Sequence, residues 1–134
     1  KLIKKHLTGK YDLSYYDKLP LGTFFEIINK NALVESHSKG KKKHRSELVT
    51  LFINENKNKF KINIEKPEKK LQRSTIRLTV DSPQDLWVAR IIHEKLGNKL
   101  KPISLRKIIK LIDDYPEIAK INENIPIGVS RIWN

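Results

Sequence analysis

Asp81 is the residue in this sequence best placed to do chemistry. It follows Thr75-Ile76-Arg77-Leu78-Thr79-Val80, whose alternation and β-branched residues suit a strand, and precedes Ser82-Pro83-Gln84-Asp85, which suits the opening of a helix. Ligands of α/β sheets bind beside the carboxyl ends of strands, so an acid at that junction is either a ligand group or a side chain that ties the turn. A short Asp offers the hard oxygen that Mg²⁺ takes alongside phosphate oxygens. Asp85 reads differently: with Ser82 as the N-cap and Pro83 in the first turn it completes a Ser-x-x-Asp capping box, which explains it without catalysis.

The other chemistry-bearing positions are less sharply defined. Glu26 interrupts the apolar run Thr23-Phe24-Phe25-Glu26-Ile27-Ile28, where a carboxylate is costly unless it faces solvent or has a partner. It is either a hydrogen-bond acceptor for ligand hydroxyls or a solvated edge residue. Lys42, Lys43 and Arg45 could bind a carboxylate or phosphate, Arg in bidentate fashion, or could simply be a solvated charge run. Arg77 suits a structural ion pair. His6, His37, His44 and His93 show no paired metal spacing, and Trp87 and Trp133 suit packing.

The elements that must position these groups can be read in order. Residues 1–7 suggest a helix end with Leu2, Ile3 and Leu7 on one face, stopped by Thr8-Gly9. Residues 10–20 read as an extended loop carrying Tyr11, Tyr15 and Tyr16. A strand over residues 23–28 follows, then a short helix through Ala32 to Glu35 capped by Asn29 or Asn31. The basic segment 39–45 reads as a mobile loop, 46–56 as an amphipathic helix and 60–64 as a half-exposed strand. After a connection comes the strand and helix around Asp81, with Gly97 just past the helix end. A helix after Pro102 and Ser104, a short turn to Ile121 and an extended tail over 122–134 complete the chain. The expected class is α/β, without the regular alternation of a complete doubly wound sheet.

A length of 134 residues supports one compact domain with a real core and is too short for two of ordinary size. The absence of Cys excludes disulfides and thiolate metal sites. The absence of Met, initiator included, is what part of a longer polypeptide would show. No apolar run reaches the roughly 18 residues of a membrane span, so the reading is a soluble, cytoplasmic protein without a membrane partner. The net charge of +13 invites a nucleic-acid partner. Only six of the 28 basic residues are Arg, however, whereas direct base readers favour the Arg fork. A small basic nucleic-acid-binding or dimerisation module is therefore the alternative rather than the first reading.

Three stretches carry a family resemblance. Leu19-Pro20-Leu21-Gly22-Thr23-Phe24-Phe25-Glu26-Ile27-Ile28 is similar to a Pro-x-Gly-Leu-Asp-Val-Glu-Val strand, with Gly22 and Glu26 matching and Phe24 at the position of the Asp. Arg45-Ser46-Glu47-Leu48-Val49-Thr50 is similar to Arg-Glu-His-Val-Thr, with Leu48 for the His and the Arg displaced by one residue. Arg77-Leu78-Thr79-Val80-Asp81-Ser82-Pro83-Gln84-Asp85-Leu86 is close to Arg-x-Thr-Val-Asp-Thr-Pro-Glu-Asp-Leu. In this order they resemble the carboxy-terminal half of a spore-coat-polysaccharide-type cytidylyltransferase, a relative of the acylneuraminate and 3-deoxy-manno-octulosonate cytidylyltransferases.

The resemblance implies the carboxy-terminal portion of a GT-A-like nucleotide-diphosphosugar transferase fold with a mixed sheet. Residues 1–134 would form one partial domain supplying the sugar side of the cleft and a homodimer contact. The parent would be a Mg²⁺-dependent enzyme that transfers a cytidylyl group from CTP to a sugar or sugar acid, and this chain alone would be inactive. Asp81 would be a metal ligand, and Glu26, Arg45 and Lys43 would bind substrate.

Overall fold

A computed structural model describes residues 1–45, 48–97 and 101–126. Among these, the backbone divides into two compact units, one built from residues 1–16 and 25–65 and the other from 17–24 and 66–126.

The first unit is an α/β structure around a three-stranded mixed sheet. Its elements are α1 (Leu2–Gly9), β1 (Leu13–Tyr16), β2 (Glu26–Ile28), α2 (Lys30–Lys39), α3 (Leu51–Glu55) and β3 (Ile62–Glu65). The strand order is β2-β1-β3, antiparallel on one side of β1 and parallel on the other. Leu13 sits opposite both Ile28 and Ile62, which fixes the register from an apolar triple.

The central strand occupies residues expected to be a loop. Its sequence, Leu-Ser-Tyr-Tyr, lacks clean alternation because it is covered on both faces: Leu13 and Ser14 are both fully buried. Leu13 packs with Ala32, Phe52, Ile53 and Phe60. Ser14 instead hydrogen-bonds the buried His6 Nδ1 at 2.8 Å, so a polar pair stands where an apolar one would have announced a strand. The same contact corrects the face of α1, which buries Leu2 and His6 while Ile3 and Leu7 stay exposed.

Other boundaries differ from the sequence reading. The strand expected over 23–28 shortens to β2, with Phe24 and Phe25 each about half exposed. Asn29 does cap α2, its Oδ1 accepting the Asn31 N–H at 2.8 Å, but the helix runs on to Lys39. The basic segment contains a 3-10 turn at Lys42–His44. Of the helix expected over 46–56, only α3 is observed; Ser46 and Glu47 lie outside the described residues.

The second unit contains α4 (Pro83–Leu96), α5 (Leu105–Asp114) and α6 (Glu117–Lys120). Its core joins Ile76, Val88, Ile92, Ile109, Leu111, Ile112 and Ile118. The Ser82 cap and Pro83 are as expected, the Asp85 N–H donating to Ser82 Oγ at 3.2 Å and Pro83 occupying the first turn where no N–H is needed. Asp85 does not close the expected capping box, because its Oδ2 accepts the Asp81 N–H rather than that of Ser82. Trp87, expected to pack, is 63% exposed.

The strand expected before α4 is instead a single parallel bridge between Leu21 and Arg77. The Leu21 N–H donates to Ile76 O and the Leu78 N–H to Leu21 O, and the pairing stops there. Gly22 lets the two segments approach. It has φ 89, and a Cβ on it would lie 2.7 Å from Thr79 N. The last eight residues of the expected tail, with Trp133, lie outside the described residues.

Candidate functional site

Around Asp81 the second unit builds a buried polar centre. The Arg77 guanidinium clasps Asp85 through Nε to Oδ1 at 2.8 Å and Nη2 to Oδ2 at 3.0 Å. Asn122 Nδ2 donates to the same Oδ1 at 2.8 Å and reaches Arg77 O at 3.3 Å. The Asp81 N–H donates to Asp85 Oδ2 at 3.1 Å. Asp85 thus accepts four hydrogen bonds while entirely shielded from water, the condition under which a buried carboxylate is tolerable. Its bond from Arg77 holds the carboxyl well below the usual carboxylate range against the opposing effect of burial, with help from Asn122, the Asp81 N–H and Ser82. Asp85 in turn raises the Arg77 pKa.

The sign of the pH dependence follows. Asp85 is depressed in the folded state, so it stabilises the fold fully above its unfolded pKa of about 3.9, and this contribution is lost as pH falls through the lower folded value. Urea midpoints measured from pH 6 downwards are expected to fall below about pH 4, with a shallower decline in Asp85→Asn. Equal slopes in the two proteins would assign the acid sensitivity to other groups.

Asp81 stands at the rim of this centre. Its side chain is 68% exposed, and Oδ2 accepts from Arg77 Nη2 at 3.2 Å. Its geometry separates it from Asp85: the buried carboxylate has spent its oxygens on protein donors, whereas Oδ1 of Asp81 faces no hydrogen-bond donor among the described residues. Three His, Cys, Asp or Glu side chains that could hold a metal together are not found among the described residues. A single exposed carboxylate suits a Mg²⁺ ion whose remaining ligands are phosphate and water.

The other expected site residues lie in the first unit. Glu26 accepts from Thr50 Oγ1 at 3.0 Å, and Thr50 Oγ1 also accepts from Asn54 Nδ2 at 3.3 Å. This bond joins the ends of the first and second motif stretches. Thr50 is buried and was not singled out by sequence reasoning, although it closes the second motif. Lys43 Nζ pairs with Glu55 Oε1 at 2.8 Å, and Arg45 Nη2 reaches His37 O at 3.4 Å. Hydrogen bonds from Lys43 and His44 lower the Glu55 pKa.

His44 organises the basic turn. Its Nδ1 accepts the Lys41 N–H at 2.7 Å, which leaves Nε2 to carry the hydrogen and donate to Glu55 Oε2 at 2.8 Å. Its ring also meets Phe52 edge-on at 5.2 Å between centroids. An open cleft of about 200 Å³ lies here, lined by Leu33, Ser36, His37, His44, Arg45 and Val49. His44 gave no sequence signal because its partners, a backbone N–H and a carboxylate eleven positions on, are set by the fold.

No helix among the described residues is long and apolar enough to cross a membrane. No family model matches the chain. It is 32% identical over 127 residues to the uncharacterized protein MJ1063 of Methanocaldococcus jannaschii, an alignment covering 93% of this chain and 51% of that protein. It is 24% identical over 123 residues to the spore coat polysaccharide biosynthesis protein SpsF of Bacillus subtilis, covering 91% of this chain and 51% of SpsF. The solved structure of a cytidylyltransferase from Leptospira borgpetersenii superposes with a TM-score of 0.77 at 21% identity, over 95% of this chain and 52% of that one. The chain spans about half the length of the curated relatives it matches. It is a homologue of SpsF over about half of that protein, with the fold of about half of a cytidylyltransferase.

Proposed function

We propose that this chain is the sugar-side part of a sugar nucleotidyltransferase, whose whole polypeptide transfers a cytidylyl group from CTP to a sugar or sugar acid in surface polysaccharide biosynthesis. The observation that carries this reading is the homology to SpsF along nine-tenths of the chain. A sugar hydroxyl or carboxylate oxygen attacks the α-phosphorus of CTP, the bond to the β-phosphate oxygen breaks, and pyrophosphate leaves. A hydroxyl nucleophile gives up its proton to water or to the departing pyrophosphate in the step.

In this reading Asp81 supplies one carboxylate oxygen to Mg²⁺. When bound, the ion neutralises triphosphate charge and orients the phosphates for in-line displacement. Glu26, fixed by Thr50, accepts hydrogen bonds from sugar hydroxyls. Arg45 offers its guanidinium to an acidic sugar or a phosphate, and Lys43 does so by exchanging Glu55 for the ligand. The working enzyme is a cytoplasmic homodimer.

Pyrophosphate release from CTP by the full-length gene product is expected to require Mg²⁺. Asp81→Ala is expected to lower it by about 100-fold or more, the scale on which a single transition-state electrostatic group acts. Retention of activity within about twofold would remove Asp81 from the chemistry. The isolated 134-residue chain is expected to show no turnover, and measurable turnover would overturn the division of labour.

A further inference from the structure

We infer that Arg77 is a positioning residue for Asp81, locked by Asp85 and Asn122 so that the Asp81 carboxylate is presented to a divalent cation in one orientation. The inference rests on the reading of Asp81 as a cation ligand.

An exposed Asp side chain normally samples several rotamers. This one is tied twice to the same buried group: its backbone N–H to Asp85 Oδ2, and its Oδ2 to the guanidinium that Asp85 holds. The Arg77 side chain is only 9% exposed, and two of its nitrogens are engaged by Asp85. Lys could not reproduce this, because a point charge on a flexible stem cannot span Asp85 and Asp81 in a fixed fork. Asn122 closes the arrangement from a position 37 residues beyond Asp85, by bonding both the carboxylate and the Arg77 carbonyl.

Charge makes the arrangement suitable for a cation. Arg77 beside Asp81 alone would cancel the charge that attracts a metal. Asp85 offsets Arg77, so the three groups together carry one net negative charge, and it resides on Asp81, the exposed one of the two carboxylates. The Arg77–Asp85 pair is thereby a neutral clamp.

The test uses the full-length gene product and reads the Asp81 χ1 rotamer from three-bond NMR couplings, without metal. The expected result is one rotamer in the native chain and averaging in both Asn122→Ser and Arg77→Lys. Ile92→Ala, a core truncation in the same unit, is expected to lower stability and leave the Asp81 rotamer unchanged, which separates positioning from general loosening. Titration with Mn²⁺ alone should then broaden the Asp81 and Ser82 amide signals, with both clamp variants needing at least about tenfold more ion for the same effect, the scale typical of groups that orient a metal ligand. A rotamer that is averaged in the native chain, or locked in both variants, overturns the positioning role. Absence of broadening at Asp81 in a native chain with a locked rotamer overturns the reading of Asp81 as a cation ligand instead.

Discussion

Asp85→Ala is expected to lower the unfolding free energy by about 3–5 kcal/mol, the scale on which breaking a buried ion pair acts. The cost comes less from the lost bonds than from what is left behind. Arg77 would remain in the protein interior with only the exposed Asp81 carboxylate as counter-charge, Asn122 Nδ2 would keep only its longer contact to Arg77 O, and the Asp81 N–H would lose its acceptor. For a domain whose whole stability is typically about 5–15 kcal/mol, this is a large fraction. Asp85→Asn should cost less, because the amide keeps the volume and one acceptor oxygen. A paired Arg77→Met, Asp85→Leu variant should recover much of the loss in stability, since apolar replacements of similar volume need no compensation. Urea denaturation of the three variants provides the check; a loss under about 1 kcal/mol in Asp85→Ala would show that water reaches the centre freely.

Gly22→Val is expected to be nearly as damaging. The backbone at Gly22 has φ 89, which costs a non-glycine residue about 1–3 kcal/mol, and most for a β-branched one. Overlap adds to this, because the new Cβ would lie 2.7 Å from Thr79 N and 3.0 Å from Leu78 C, backbone atoms that cannot swing aside as a side-chain tip would. The Leu21–Arg77 bridge next to it must then open, and with it the anchor of the segment that delivers Arg77 and Asp81. The expected observation is a fall in thermal midpoint, together with loss of protection from hydrogen exchange at the Leu21 and Leu78 amides. Gly22→Ala should show the same pattern at smaller amplitude. Unchanged exchange at those amides would mean that the bridge contributes little.

The helix opening at Ser82 and Pro83 was legible in the sequence because a capping signal depends on neighbours in the chain. The three motif stretches were legible for a similar reason, and they pointed to the homology and fold that the comparisons display. The central strand was not, because Ser14 is buried through a partner, His6, that the chain brings in from a helix. The strand expected before α4 failed in the opposite sense. Its alternation satisfies the side chains of Ile76 and Leu78, which face the core, but a ladder also needs a partner backbone, and Leu21 supplies one for a single step.

The site was half legible in the same way. Asp81 stood out by its place at a junction, while Asp85 was assigned to helix capping alone. Its N–H does donate to Ser82 Oγ, but its carboxylate is buried against Arg77 and Asn122, and no local pattern could have connected Asn122 to it.

The reach of Asn122 also bears on how the second unit comes apart. The first turn of α4 and the turn after α6 share one carboxylate, although 37 residues separate them in the chain. Fraying of the turn after α6 takes one donor from Asp85 and uncovers the Arg77–Asp85 pair, and fraying of the first turn of α4 takes the acceptor from Asn122, so loosening of one weakens the other. Two segments distant in the chain are thereby coupled in opening, and the turn around Asp81 is held in part by a residue near the far end of the described chain.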